Sequence, residues 1–156
     1  MKSNFFSDMN GSGLRIAIVA SRFNQDMMDA MLADCLAALK TSGVQDEHIT
    51  TLRVPGSFEL PVAAAALAAQ HRYDAIICLG IIIKGDTRHD HYIADAVANG
   101  LTRISLDHTL PVLFGVLTTE NKEQAEVRAL GEQKKGWEAA MSAIEMALAV
   151  NAIKKV

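Results

Sequence analysis

The sequence predicts an α/β fold, a three-layer sandwich with a four-stranded parallel sheet in the order 2-1-3-4 and helices on both faces. Three observations predict it. Short apolar runs rich in β-branched residues alternate with segments whose apolar residues recur every three or four positions. The connections between runs are long enough to hold a crossover helix, as parallel pairing requires. The run that follows Asp74 is apolar almost without interruption up to Lys84, the signature of a strand covered on both faces.

Each element can be justified in turn. Residues 15–20, RIAIVA, form the first strand, and Met28, Leu32, Cys35, Leu36 and Leu39 then share one helical face. Asn24 is placed to cap that helix and Gly43 to end it. Residues 49–54, ITTLRV, make the second strand, stopped by Pro55 and Gly56, and Pro61 suits the first turn of an Ala-rich helix running to about His71. The third strand is the apolar run already described. Ile93, Val97, Leu101 and Ile104 form a helical stripe, and LPVLFGVL at residues 110–117 supplies the fourth strand, with Pro111 at its start. Helices at about 121–131 and 136–150 follow, separated by a break at Gly131 and Gly136. The strand order is flavodoxin-like.

At 156 residues, half of them apolar, the chain suits one domain with a substantial core. Residues 1–13, rich in Ser, Asn and Gly, read as an N-terminal tail whose Phe5 and Phe6 dock on a partner, and residues 14–156 read as the single domain. The net charge of -3 and pI near 5.9 arise without a basic block, so no nucleic acid and no membrane surface is expected as a partner. Small molecules and other protein chains remain. Cys35 and Cys78 lie inside apolar patterns, which predicts reduced, buried thiols and a cytoplasmic setting. No secretory leader and no membrane-length apolar stretch is read in the chain.

Ligands of open parallel sheets collect just past the carboxyl ends of the strands, where this sequence concentrates its chemistry. The first connection carries Arg22, Phe23 and Asn24; Phe23 could stack on a flat ring or staple the following helix. The second carries Pro55, Gly56, Ser57, Phe58 and Glu59, where Ser and Glu offer hydrogen bonds to a polar heterocycle or polyol, or Glu59 simply complements a helix N-terminus. The third carries Gly85, Asp86, Thr87, Arg88 and His89. Backbone N–H groups of Gly85, Asp86 and Thr87 at a helix entry could hold a phosphate, with the Thr87 hydroxyl as a further donor and His89 as the acid/base. The fourth follows Phe114 to Thr119, where Thr119 can cap a helix.

Some chemistry is excluded. There is no G-x-G-x-x-G after the first strand and no G-x-x-x-x-G-K-[ST] anywhere, which disfavours dinucleotide binding and P-loop hydrolysis. His89 and His91 are two residues apart and cannot share a helical face, and the cysteines lack ligand spacing, so no metal site is expected.

The segments SRFN (21–24), VPGSFELP (54–61), GIIIKGDTRHDHY (80–92), FGVLTTENKEQAEVRA (114–129) and KKGWEAAMSAIEMA (134–147) together closely resemble the lumazine synthase family of riboflavin biosynthesis. The resemblance implies condensation of 5-amino-6-(D-ribitylamino)uracil with 3,4-dihydroxy-2-butanone 4-phosphate to 6,7-dimethyl-8-ribityllumazine, phosphate and water, without a cofactor. It implies that Phe23 stacks on the pyrimidine, that Ser57, Phe58 and Glu59 contact the uracil and ribityl chain, and that Ile81, Ile82 and Ile83 line the same pocket. By the same resemblance Gly85, Asp86 and Thr87 hold the phosphate with Arg128 as its cation, Phe114 closes the heterocycle pocket, and His89 transfers protons. Asn24 and Lys135 are further candidates.

The family also implies a homo-oligomer, a pentamer or higher assembly, in which Phe114, Arg128 and Lys135 complete a neighbour's site. The link Leu130 to Gly136 is shorter and poorer in glycine than the G-T-K-A-G-N-K-G link of sixty-subunit relatives, which argues against the shell. Ile81, Lys84 and Asp90 depart from the family pattern. They leave open an alternative, a flavin- or lumazine-binding protein that keeps the fold without catalysis.

Overall fold

The structure is a computed structural model that describes residues 9–156; the reading of Phe5 and Phe6 falls outside the described residues. Strands β1 (Ile16–Ser21), β2 (Ile49–Val54), β3 (Ala75–Ile83) and β4 (Val112–Thr119) pair in parallel in the order β2-β1-β3-β4. Between and after them run helices α1 (Gln25–Thr41), α2 (Leu60–Ala68), α3 (His89–His108), α4 (Lys122–Ala129) and α5 (Lys135–Lys154). The expected sheet order is the one found.

Two apolar clusters divide the molecule. Ile16, Ile18, Ala20, Ile77, Leu79 and Ile81 point to one face, where they meet Met28, Met31, Cys35 and Leu39 of α1, Ala125 and Ala129 of α4 and Ala140 and Ile144 of α5. Ala17, Val19, Ile76, Cys78, Ile82 and Val116 point to the other, where Ala64 and Leu67 of α2 and Val97 and Leu101 of α3 cover them. The two-residue alternation along the central strands β1 and β3 is thus filled on both sides, which is why these two carry almost no polar residue, while β2 and β4 at the sheet edges keep polar and partly exposed ones.

Element ends show where local chemistry differed from expectation. Gly43, at φ 92°, ends α1 in a conformation that favours glycine, as expected. The α2 helix stops at Ala68, short of the expected His71, because His71 adopts φ 53° and cannot continue it. The α5 helix continues past the expected end at residue 150 to Lys154. Of the segment expected as a tail, Met9 packs against the core and the Gly11 N–H donates to the Ser42 carbonyl at 2.7 Å. Among the described residues, no helix is long and apolar enough to cross a membrane.

Candidate active site

Three of the strand-to-helix connections build one cavity of about 720 Å³ at the carboxyl edge of the sheet. The β1–α1 connection supplies Phe23 and Asn24. Its backbone is tied to β2 by the Arg22 N–H, which donates to the Val54 carbonyl at 2.9 Å. Arg53, one residue before that carbonyl, reaches back with Nη1 to Asp29 Oδ1 at 2.8 Å and with Nη2 to the Ser21 carbonyl at 3.2 Å. A single guanidinium therefore joins β2, the end of β1 and the first turns of α1.

Phe23 is 69% exposed and lies across Gly56, whose absent β-carbon would stand 3.1 Å from the Phe23 ring. The ring is accordingly a wall of the cavity; the alternative of a staple into the α1 core is not what forms. Asn24 occupies the N-cap position of α1 at φ 59°, and its side chain makes no capping bond, contrary to expectation. In that left-handed conformation, which Asn tolerates, only its carbonyl engages the helix, accepting from the Met28 N–H at 3.0 Å. Asn24 is one of the residues that line the cavity.

A 3-10 turn at Ser57–Glu59 leads into α2 and forms the next wall. Glu59 Oε2 accepts from the Gly56 N–H at 2.9 Å, so one of its carboxylate oxygens holds the turn together. This is the complementing role that its position allowed. Ser57 is buried against Gly80 of β3, and its Oγ has no hydrogen-bond partner among the described residues. Phe58 is 61% exposed at the rim.

The floor is the end of β3, Ile81 to Ile83, and the last wall is the loop from Gly85 to His89 with the first turn of α3. The Thr87 hydroxyl oxygen accepts from the His89 N–H at 3.3 Å, which leaves its proton to donate. The Lys84 N–H is bonded to the Thr119 carbonyl, while the N–H groups of Gly85, Asp86 and Thr87 bond to no other described residue. They stand at the positive end of a helix of 20 residues, an arrangement suited to an anion. Gly85, Thr87 and His89 line the cavity, whereas Asp86 is exposed outside its lining.

The structure does not bring every expected residue to this cavity. Arg128 and Lys135 line a second, smaller recess with Val116, Leu117, Thr118, Gln133 and Glu138, and the two linings share no residue. Arg128 Nη1 donates to the Gln124 carbonyl within its own helix, and Lys135 pairs with Glu138 at 3.0 Å. Phe114 is 42% exposed on the edge strand β4, paired with Cys78 and three positions below the Ile81 level. Lys84 is paired with Glu120 at 3.1 Å. The anion loop thus lacks a free cation among the described residues that share its cavity.

The lining also contains Gly56 of the second connection, and Asp90, Tyr92 and Ile93, which sequence reasoning did not assign to it. Tyr92 and Ile93 lie three and four residues after His89, the spacing that places side chains on one helical face, and this was the available signal.

A doubly covered parallel sheet with a cavity at its strand ends, lined by an imidazole and by a helix-entry loop with unbonded backbone N–H groups, has the layout of an α/β protein that takes up small molecules. The family model for 6,7-dimethyl-8-ribityllumazine synthase matches residues 13–151, nearly the whole chain. The chain belongs to this family and is an enzyme of the lumazine synthase type, placed by that membership in riboflavin biosynthesis.

Proposed function

We propose that residues 14–156 act as one catalytic domain that condenses 5-amino-6-(D-ribitylamino)uracil with 3,4-dihydroxy-2-butanone 4-phosphate to 6,7-dimethyl-8-ribityllumazine. The observation that carries this reading is the convergence of Phe23, Ser57, Glu59, Thr87 and His89 on one cavity in a chain of this family. Phe23 offers a face to the pyrimidine and the anion loop holds the phosphate. The amine attacks the carbonyl and water is lost to give an imine. His89 then takes a proton next to the imine as the C–O bond to phosphate breaks, and ring closure releases a second water. Holding two substrates in register supplies much of the acceleration.

The departing phosphate needs a cation, and Arg128 is the residue we assign to it. Because Arg128 and Lys135 lie apart from this chain's own cavity, their assignment requires a second copy of the chain, with Phe114 closing the ring pocket from the same neighbour. The reading therefore entails a homo-oligomer, a pentamer or a larger assembly.

Purified protein given both substrates should form the fluorescent lumazine. Arg128→Ala should abolish use of the phosphorylated substrate, while His89→Ala should slow turnover by roughly 10- to 100-fold. Coexpressing the two variants should restore part of the activity, because mixed assemblies regain some sites with both groups intact. Ligand binding without product would instead support a non-catalytic flavin- or lumazine-binding protein. Full activity in both variants would remove the assigned roles.

A further inference from the structure

Two cavity-lining residues carry a polar atom with no partner among the described residues. Ser57 Oγ and Asp90 Oδ1 are both shielded from solvent and have no hydrogen-bond partner among the described residues, yet both residues line the cavity. Ser57 is only 6% exposed. The turn that carries it packs against α3, whose first turn carries Asp90. An unpaired buried polar group costs about 1–3 kcal/mol, and more when charged, so a carboxylate that lines a cavity with one oxygen sealed and unpaired gains most from a ligand donor at its other oxygen, Asp90 Oδ2, which is not shielded.

We propose that Asp90 is a specificity-determining residue whose carboxylate accepts a hydrogen bond from the polyol chain of the amine substrate. This rests on the function proposed above and adds a residue to it. Three considerations select the polyol. The phosphorylated substrate is an anion, and a carboxylate beside it repels it. The flat ring has its wall at Phe23, over Gly56. Of the uncharged donors that remain, the ring edge presents N–H groups and the polyhydroxy chain presents several O–H groups on a flexible stem, and the chain is the donor set best able to adapt to a fixed carboxylate.

Glu59 is the other carboxylate lining the cavity, and its Oε2 is already committed to the Gly56 N–H. The Asp90 carboxylate has no such bond among the described residues. Its place in the first turn of α3 also sets a carboxylate at the favourable end of the helix dipole, which accounts for its tolerance there but leaves the unpaired oxygen unexplained.

Three proteins, wild type, Asp90→Ala and the near-isosteric Asp90→Asn, test the assignment by steady-state kinetics and calorimetric titration. Asp90→Ala should raise KM for the amine substrate by about 10- to 100-fold, the range for a hydrogen bond to a charged group, with less than a threefold change in KM for the phosphorylated substrate. Asp90→Asn should fall between the two, since it keeps one neutral acceptor oxygen. In the titration, 5,6-diaminouracil, which carries the ring without the polyol, should bind all three proteins within a factor of three. An unchanged KM for the amine substrate, or an equal loss of both ligands, would overturn the assignment. If the wild type binds the amine but makes no product, the catalytic reading fails while the titration still decides the role of Asp90.

Discussion

Gly80 lies directly beneath Ser57: a β-carbon on Gly80 would stand 2.5 Å from Ser57 Oγ and 3.2 Å from a Leu60 methyl group. The third strand therefore leaves out a side chain where the second wall of the cavity rests on it. Gly80→Ala should push the Ser57–Glu59 turn outward, destabilising the fold by about 1–3 kcal/mol and lowering kcat/KM at least tenfold. Parallel urea melts and steady-state assays check this; retained activity would show that the turn does not set the site.

Gly136 makes a tighter approach, from the first turn of α5 onto the backbone of α1. A β-carbon there would run into the Met31 carbonyl, and neither backbone can give way as a flexible side chain could. Gly136→Ala should cost about 3 kcal/mol or more, far outside the gain of about 1 kcal/mol that alanine brings to a helix. Equilibrium denaturation measures it, and an unchanged midpoint would refute the packing argument.

Arg53 offers a test of positioning at a distance. Arg53→Met keeps the apolar stem and removes the bonds to Asp29 and the Ser21 carbonyl, so the loop that carries Phe23 loses its clamp. Stability should fall by about 1 kcal/mol, and KM for the ring-bearing substrate should rise by roughly three- to tenfold while KM for the phosphorylated one holds. Equal changes in both constants would assign Arg53 to general stability alone.

Burial pushes both thiols up from 9.0 to about 12, with the Asp34 charge adding to the effect at Cys35. The folded state holds these protons more tightly than the unfolded chain, whose thiols ionise near their ordinary value. Their contribution is thus intact below about pH 9 and is lost as pH rises toward 12, at up to about 1.4 kcal/mol per pH unit for each thiol. Denaturation at pH 8 and pH 10 should show a steeper loss for the wild type than for Cys35→Ala/Cys78→Ala. Equal slopes would contradict it.

The element types and the double covering of the sheet were legible in the sequence because they follow from local periodicity; the strand order was expected from the flavodoxin-like pattern, and a cavity does lie at the carboxyl edge where such sheets take ligands. Runs such as AIICLGIII have one reading when both faces are covered. What local pattern could not supply was the partner of each polar group. Asn24 occupies a capping position, yet with its left-handed backbone the amide makes no capping bond. Arg53 reads as one more residue of an alternating strand, and its bonds run to residues 24 and 32 positions away in sequence. The commitment of Glu59 is local, to Gly56 three residues before it, whereas the isolation of Asp90 depends on how the Ser57–Glu59 turn docks on α3.

The two faces of the sheet are unequally anchored. Seven residues of α5 are buried, against only Val97 and Leu101 in α3, two helices of equal length. Hydrogen-exchange protection follows such differences, because a helix with few buried contacts opens at a lower free energy than the whole molecule. The cavity wall therefore belongs to a helix held less firmly than α5, and a bound ligand that holds its first turn in place feeds its affinity directly into local order.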